Sequence, residues 1–171
     1  MKKLLLFGVW FMNASLALIL YSPDFKNNQT IPKKFTGEGK NSAPRLQWSI
    51  PHPHVRSFAL ICDDPDAQDE PWVHWIIYNI PSVYRKLENI NPTMDIMCNG
   101  MAQGLNSWGQ LGYNGPMPPE GSGVHHYRFT LYVLNKKKLD LEPGATKEEL
   151  LKAMEGHILQ QAELVGLYER T

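Results

Sequence analysis

The sequence predicts a β-rich fold, an antiparallel sandwich with one or two C-terminal helices. Turn-forming residues recur so densely between positions 20 and 135 that little room is left for helices. Three runs of strand type lie between those breaks. From Thr146 onward the pattern changes to helical spacing behind a capping-box signature.

The breaks are Ser22-Pro23-Asp24, Thr36-Gly37-Glu38-Gly39, Pro51-His52-Pro53, Asp64-Pro65-Asp66, Asn91-Pro92 and the stretch from Gly112 to Gly123. The first strand run is Ser57 to Cys62, the second Trp72 to Ile80 and the third Tyr127 to Asn135. A strand alternates its faces, so His125, Tyr127, Phe129, Leu131 and Val133 share one side. The same alternation groups His74, Ile76, Tyr78 and Ile80. Two adjacent core strands are therefore expected, each presenting an imidazole at the rim. In the tail, Thr146 and Glu149 have capping-box spacing, and Leu150, Leu151 and Met154 follow at helical intervals. Gly156 is expected to break or bend this helix before Ile158, Leu159, Ala162 and Val165 resume it. Lys136-Lys137-Lys138 reads as a solvated turn.

A chain of 171 residues is long enough for one domain, here placed at residues 18–171. Its 17 Lys+Arg balance 17 Asp+Glu, which gives it no field for drawing in a nucleic-acid backbone. The opening Met1-Lys2-Lys3, the apolar run Leu4 to Met12 and then Asn13-Ala14-Ser15-Leu16-Ala17 match the three parts of a secretory signal. The apolar run is too short for stable membrane insertion. Cleavage after residue 17 would make the mature protein periplasmic or secreted, and a retained N-terminus would leave it cytoplasmic. In an oxidising compartment Cys62 and Cys98 could form a disulfide worth roughly 3–4 kcal/mol, the alternative being two free buried thiols. Exposed rings among Trp48, Trp72, Trp75 and Trp108 would favour a homodimer, unless they are core or pocket wall.

Three constellations can carry chemistry. Cys62-Asp63-Asp64-Pro65-Asp66-Ala67 is a strand entering an acidic proline turn, where Asp carboxylates ordinarily cap backbone N–H groups. Trp72-Val73-His74-Trp75 sets an imidazole among aromatics that exclude water and strengthen its polar contacts. Gly112 to Tyr127 joins glycines, which let backbone N–H groups approach a ligand, to prolines that stiffen the loop. His125 and Tyr127 follow on one face. The usual catalytic patterns are missing: Ser107 is not in a nucleophile elbow, and there is no HExxH, P-loop or GxGxxG. His52-Pro53-His54 and His125-His126 are poor metal pairs, since neighbours on a strand point to opposite faces. No catalytic residue, metal or cofactor is assigned.

Asp64-Pro65-Asp66-Ala67, Trp72-Val73-His74-Trp75, Gly112-Tyr113 through Pro118-Pro119 and Gly123-Val124-His125-His126-Tyr127 together resemble the phosphatidylethanolamine-binding proteins, in particular the bacterial and archaeal Raf-kinase-inhibitor-like branch. Ser22-Pro23-Asp24-Phe25, Ile31 to Phe35, Pro44 to Trp48 and the tail from Ala145 extend the likeness over residues 20 to 170. The resemblance implies a Greek-key antiparallel β-sandwich with a small anion pocket at one end. It places Asp64, Asp66, His74, Pro118, Pro119, His125 and Tyr127 in the pocket wall. His126 stands where many members have Arg, and Gln68 where they have Pro, both at the pocket's edge. A non-enzymatic binding protein for phosphate or a phospholipid head group is implied, possible partners being a kinase or protease. One alternative is an inhibitor that docks a partner's phosphorylated or acidic segment; a weak hydrolase using His74, His125 and Asp64 is another. An Asp beside a bound anion must be neutralised, so Asp64 is expected to bond to His74 or to carry a raised pKa when the anion binds.

Overall fold

A computed structural model describes residues 17–49, 52–90 and 99–171. The signal-sequence reading therefore falls almost wholly outside the described residues. So does the proposed disulfide, because Cys98 is not among them; Cys62 is buried. Among the described residues the chain is β-rich, with two sheets and one α-helix. In order it forms β1 (Leu20–Tyr21), β2 (Gln29–Thr30), a 3-10 turn (Lys33–Phe35), β3 (Leu46–Trp48), β4 (Ser57–Asp64) and β5 (Trp72–Pro81). There follow β6 (Lys86–Leu87), β7 (Ala102–Gln103), β8 (His125–Leu134), α1 (Lys147–Met154) and β9 (Ile158–Tyr168).

The larger sheet has the order β2-β9-β8-β4-β5-β7 and the smaller β1-β3-β6. Pairing is antiparallel except between β2 and β9. β4 is buried along its whole length, which is why it reads as a continuous apolar run. Phe58, Leu60 and Cys62 enter a core shared with Leu20, Leu46, Trp48 and Leu87 of the smaller sheet. Ala59 and Ile61 enter a second core, with Leu150 and Met154 of α1.

Three expectations need correction. β5 and β8 are not neighbours, because β4 lies between them. Nor does β5 alternate simply. Trp75, Ile77 and Ile80 join the first core, whereas Val73, Ile76 and Tyr78 join the second. Two irregularities shift the phase: one inserts His74 between Val73 and Trp75, and the other lies beside Asn79, whose φ is +56°. Finally, residues after Gly156 form a strand instead of a resumed helix. Gly156 has φ +73°, which ends the helical path, and β9 then buries Leu164, Gly166 and Tyr168 at the strand period of two.

The capping box is present: Thr146 Oγ1 accepts from Glu149 N, and the Glu149 side chain accepts from Thr146 N at 2.8 Å. Thr146→Ala should cost about 1 kcal/mol of stability in denaturant titration.

Trp48 and Trp75 are core residues, while Trp72 and Trp108 are about 38–39% exposed and line a cleft. These four tryptophans thus form core and cleft wall. No helix among the described residues is long and apolar enough to cross a membrane.

Candidate functional site

β4 runs antiparallel to both β5 and β8, so its C-terminal end meets their N-terminal ends. Asp64 closes β4, His74 stands near the start of β5 and His125 opens β8. Topology alone thus gathers three residues distant in sequence. The irregularity at His74 allows its ring to lie with Trp75 on the first-core side, where it meets Tyr127 edge-on at 5.0 Å. All seven residues expected in the pocket wall line one cleft of about 730 Å³.

Asp64 does two jobs. Its Oδ1 accepts from Asp66 N at 2.9 Å, the turn-making bond expected of Asp-Pro-Asp. Its Oδ2 lies 2.7 Å from His125 Nδ1. The expected partnership with His74 is not formed. Instead, His74 Nδ1 donates to the Asn114 carbonyl at 2.6 Å, and Asn114 N donates back to the His74 carbonyl at 2.9 Å. This clasp binds the residue 104–115 segment to the start of β5 and fixes the His74 tautomer, leaving Nε2 for another partner. Burial lowers the His74 pKa, although the Asn114 carbonyl and the charges of Asp64 and Asp63 oppose the shift.

Ser107, the serine weighed as a nucleophile in sequence, is a scaffold residue. Its Oγ accepts from Val73 N and its own N–H donates to the Val73 carbonyl. The link carries Trp108 to 5.1 Å from the His74 ring and 5.4 Å from Trp72. Across the cleft, Arg170 donates to the Pro118 carbonyl at 3.2 Å and Gly121 N donates to the Arg170 carbonyl. The C-terminal residues thereby hold the Pro118-Pro119 wall.

Tyr127 is 1% exposed, and its hydroxyl has no hydrogen-bond partner among the described residues. Burial, then the charge of Asp64 and the approach of its carboxylate to the hydroxyl, raise the Tyr127 pKa, so the hydroxyl stays protonated and acts as a donor. His126 points away from the core, and its N–H and Nδ1 both meet Asp66 Oδ2 at 2.8 Å. Burial alone would raise the Asp66 carboxyl, but the bonds from His126 hold it below the usual carboxylate range.

The cleft includes Gln68, expected at its edge, and Trp72 and Trp108, for which a place in the pocket wall was one of the readings; Ala67, Asp69, Glu70, Met117 and Ser122 are additions that the sequence did not assign to it. Ser122 matters most, because its Oγ lies 3.0 Å from His125 Nε2. Among the described residues, four carboxylates line the cleft (Asp64, Asp66, Asp69 and Glu70) and no Lys or Arg does. Asp64 and Asp66 are matched by histidines.

Residues 21–169 match the family model described as phosphatidylethanolamine-binding protein. The chain belongs to the phosphatidylethanolamine-binding protein family. Among relatives, it is 49% identical over 146 residues to a UPF0098 protein of Methanothermobacter thermautotrophicus, covering 85% of this chain and 95% of the relative. A phosphatidylethanolamine-binding protein homolog from Chlamydia trachomatis, known from a crystal structure, superimposes with a TM-score of 0.81 at 38% identity, over 91% of this chain and 99% of the other. Escherichia coli YbcL, described as a member of the mammalian PEBP family, gives 0.82 at 27% identity, over 90% and 99%. The family resemblance drawn from Asp64-Pro65-Asp66, His74 and His125 to Tyr127 therefore stands.

Proposed function

We propose that this member of the phosphatidylethanolamine-binding protein family holds a small phosphorylated or anionic ligand, of the phosphate or phospholipid head-group kind, at one end of a Greek-key sandwich. The ligand is held and not turned over. One observation carries this reading: the buried Tyr127 hydroxyl makes no hydrogen bond within 3.5 Å among the described residues, although it lines a cleft beside two imidazoles. A buried donor left unmade costs about 1–3 kcal/mol, and a ligand oxygen would recover it. His74 Nε2 and His125 Nε2 supply further contacts once a proton is shared with the ligand. Removal of residues 1–17 would place this function in the periplasm or outside the cell.

Tyr127→Phe tests the reading because its two effects have opposite signs. Phosphate affinity, measured by calorimetry, should fall roughly tenfold or more as a charge-assisted bond is lost. The ligand-free protein should be unchanged or more stable by about 1 kcal/mol, since an orphaned donor has been removed. Unchanged phosphate affinity would overturn the proposal.

A second reading, regulation of a kinase or protease by docking its phosphorylated segment, is favoured by the cleft mouth. There Trp72, Trp108 and Met117 are 38–44% exposed. If it holds, His125→Ala loses phosphate and a captured partner together; retention of the partner excludes it.

A further inference from the structure

From Ser122, His125 and Asp64 we infer a second capability that does not rest on anion binding: Ser122 is an activated nucleophile that takes the acyl group of a small, uncharged carboxylic ester. Ser122 Oγ lies 3.0 Å from His125 Nε2, and His125 Nδ1 lies 2.7 Å from Asp64 Oδ2. Nucleophile, base and orienting carboxylate are thus joined in one chain, the arrangement that activates a serine hydroxyl. The carboxylate and imidazole are 4% and 6% exposed, whereas Ser122 is exposed on the loop and open to a substrate.

The hydroxyl proton has two acceptors within reach, since the Pro119 carbonyl lies 2.7 Å from the same Oγ. Rotation about Cβ–Oγ moves the proton from Pro119 to Nε2 without displacing a heavy atom. Tyr127 supplies the remaining part: it stands two residues after His125 on the same face of β8, and its buried hydroxyl makes no hydrogen bond within 3.5 Å among the described residues. A developing oxyanion in the cleft would be its acceptor.

In the acylation step the Oγ–carbon bond forms as the hydroxyl proton passes to His125 Nε2. The carbon–oxygen bond to the leaving alkoxide then breaks, and that oxygen takes the proton from Nε2. Deacylation uses water by the same route, returning the proton to Ser122 Oγ and releasing the carboxylic acid. Substrate class follows from the wall. A carboxylate-bearing ester would meet Asp69 and Glu70 without the proton that a phosphate can bring into the cleft, and Trp72, Trp108 and Met117 favour an apolar group.

The full chain should be incubated with 4-nitrophenyl acetate and with an alkyl fluorophosphonate, and the adduct located by intact mass and peptide mapping. One acyl or phosphonyl group is expected on Ser122, with none on Ser122→Ala, whose exposed loop position leaves folding intact. Asp64 is a positioning residue. Asp64→Asn should slow labelling about a hundredfold, and Asp64→Glu should restore part of that rate, which a merely structural defect would not allow. Equal labelling of Ser122→Ala, an adduct on another residue, or no adduct on the wild-type chain would each overturn the inference.

Discussion

A phosphate monoester is expected to bind this cleft about tenfold more tightly at pH 6.5 than at pH 8, because the complex must hold a proton that the separated partners lack. At pH 8 the ligand is a dianion, and burial keeps His74 neutral with its Nε2 lone pair facing any incoming oxygen. Asp64, Asp66, Asp69 and Glu70 line the same space. The dianion therefore meets lone pairs and carboxylates, and the Tyr127 hydroxyl is a single donor against them. One proton changes the balance. On the ligand it creates an O–H that donates to an imidazole; on an imidazole it creates an N–H that donates to the ligand. The groups facing His74 are the Asn114 carbonyl, Trp108 and Tyr127, with Asp63 and Asp64 nearby. Those facing His125 are Asp64 and Ser122, with Asp66 nearby. Calorimetric titration across this range measures the slope, and sulfate locates the proton, because sulfate cannot take one up. Equal slopes for both ions place it on histidine, and a slope for phosphate alone places it on the ligand. A flat affinity for both would remove proton sharing from the account. Stability of the ligand-free chain should move the other way. His74 has a lowered folded pKa, so the unfolded chain binds a proton that the folded chain resists, and stability falls as the pH drops below about 6.5.

The fold and the cleft were legible to different degrees, for physical reasons visible in particular residues. β8 was plain because one face is buried and the other is not, so His125, Tyr127, Phe129, Leu131 and Val133 alternate cleanly. β5 was plain as a strand but opaque in phase. Periodicity assumes a regular pleat, and neither the insertion at His74 nor the positive φ of Asn79 leaves a hydropathy signal. β9 was misread because Ile158, Leu159, Ala162 and Val165 also satisfy a helical template, while its buried residues, Leu164, Gly166 and Tyr168, include a glycine that carries no apolar mark. Alternation along β5 and β8 is enough to expect His74 and His125 at a rim, but on adjacent strands; the place of Asp64 between them follows from strand order, a long-range property for which only the motif resemblance stood in. Partner choice was the least legible. Asp64 pairs with His125 because β8 borders β4 directly and carries its imidazole at the opening residue, while His74 is occupied by a carbonyl 40 residues further along the chain. Ser122 was unreadable as a site residue, being one small polar residue in a glycine loop until its distance to His125 is known.

Gly115→Ala should remove both stability and ligand affinity, although the residue touches no ligand. A Cβ on Gly115 would stand 2.1 Å from the Phe35 carbonyl oxygen and 2.9 Å from Thr36 Cα. These are backbone atoms and cannot swing aside as a side-chain tip would. The Phe35 carbonyl is further fixed by the Tyr113 hydroxyl at 2.7 Å, and the next turn is tied through Gly37 N to the Pro116 carbonyl. Gly115 N donates to Asn41 Oδ1, and Asn41 Nδ2 donates to Asn114 Oδ1, both at 2.7 Å. Relief of the clash must therefore move the 114–116 segment. That displaces the Asn114 carbonyl from His74 on one side and the Pro118-Pro119 wall on the other. The cost should be about 3 kcal/mol, at the upper end for overpacking, and a fall of roughly 10 °C in Tm is expected for a chain of this size. Phosphate affinity should fall at least tenfold, because freeing His74 Nδ1 removes the bond that fixes its tautomer. Gly121→Ala is the matched control. It lies between Pro119 and Ser122 of the cleft wall at φ +75°, with nothing among the described residues within 4 Å of a new Cβ, so only the left-handed backbone penalty of about 1 kcal/mol applies. If the two variants lose equal stability, close approach at Gly115 is not what organises the His74 wall. If Gly115→Ala loses stability but keeps phosphate affinity, the Asn114–His74 clasp is not what sets the imidazole for its ligand.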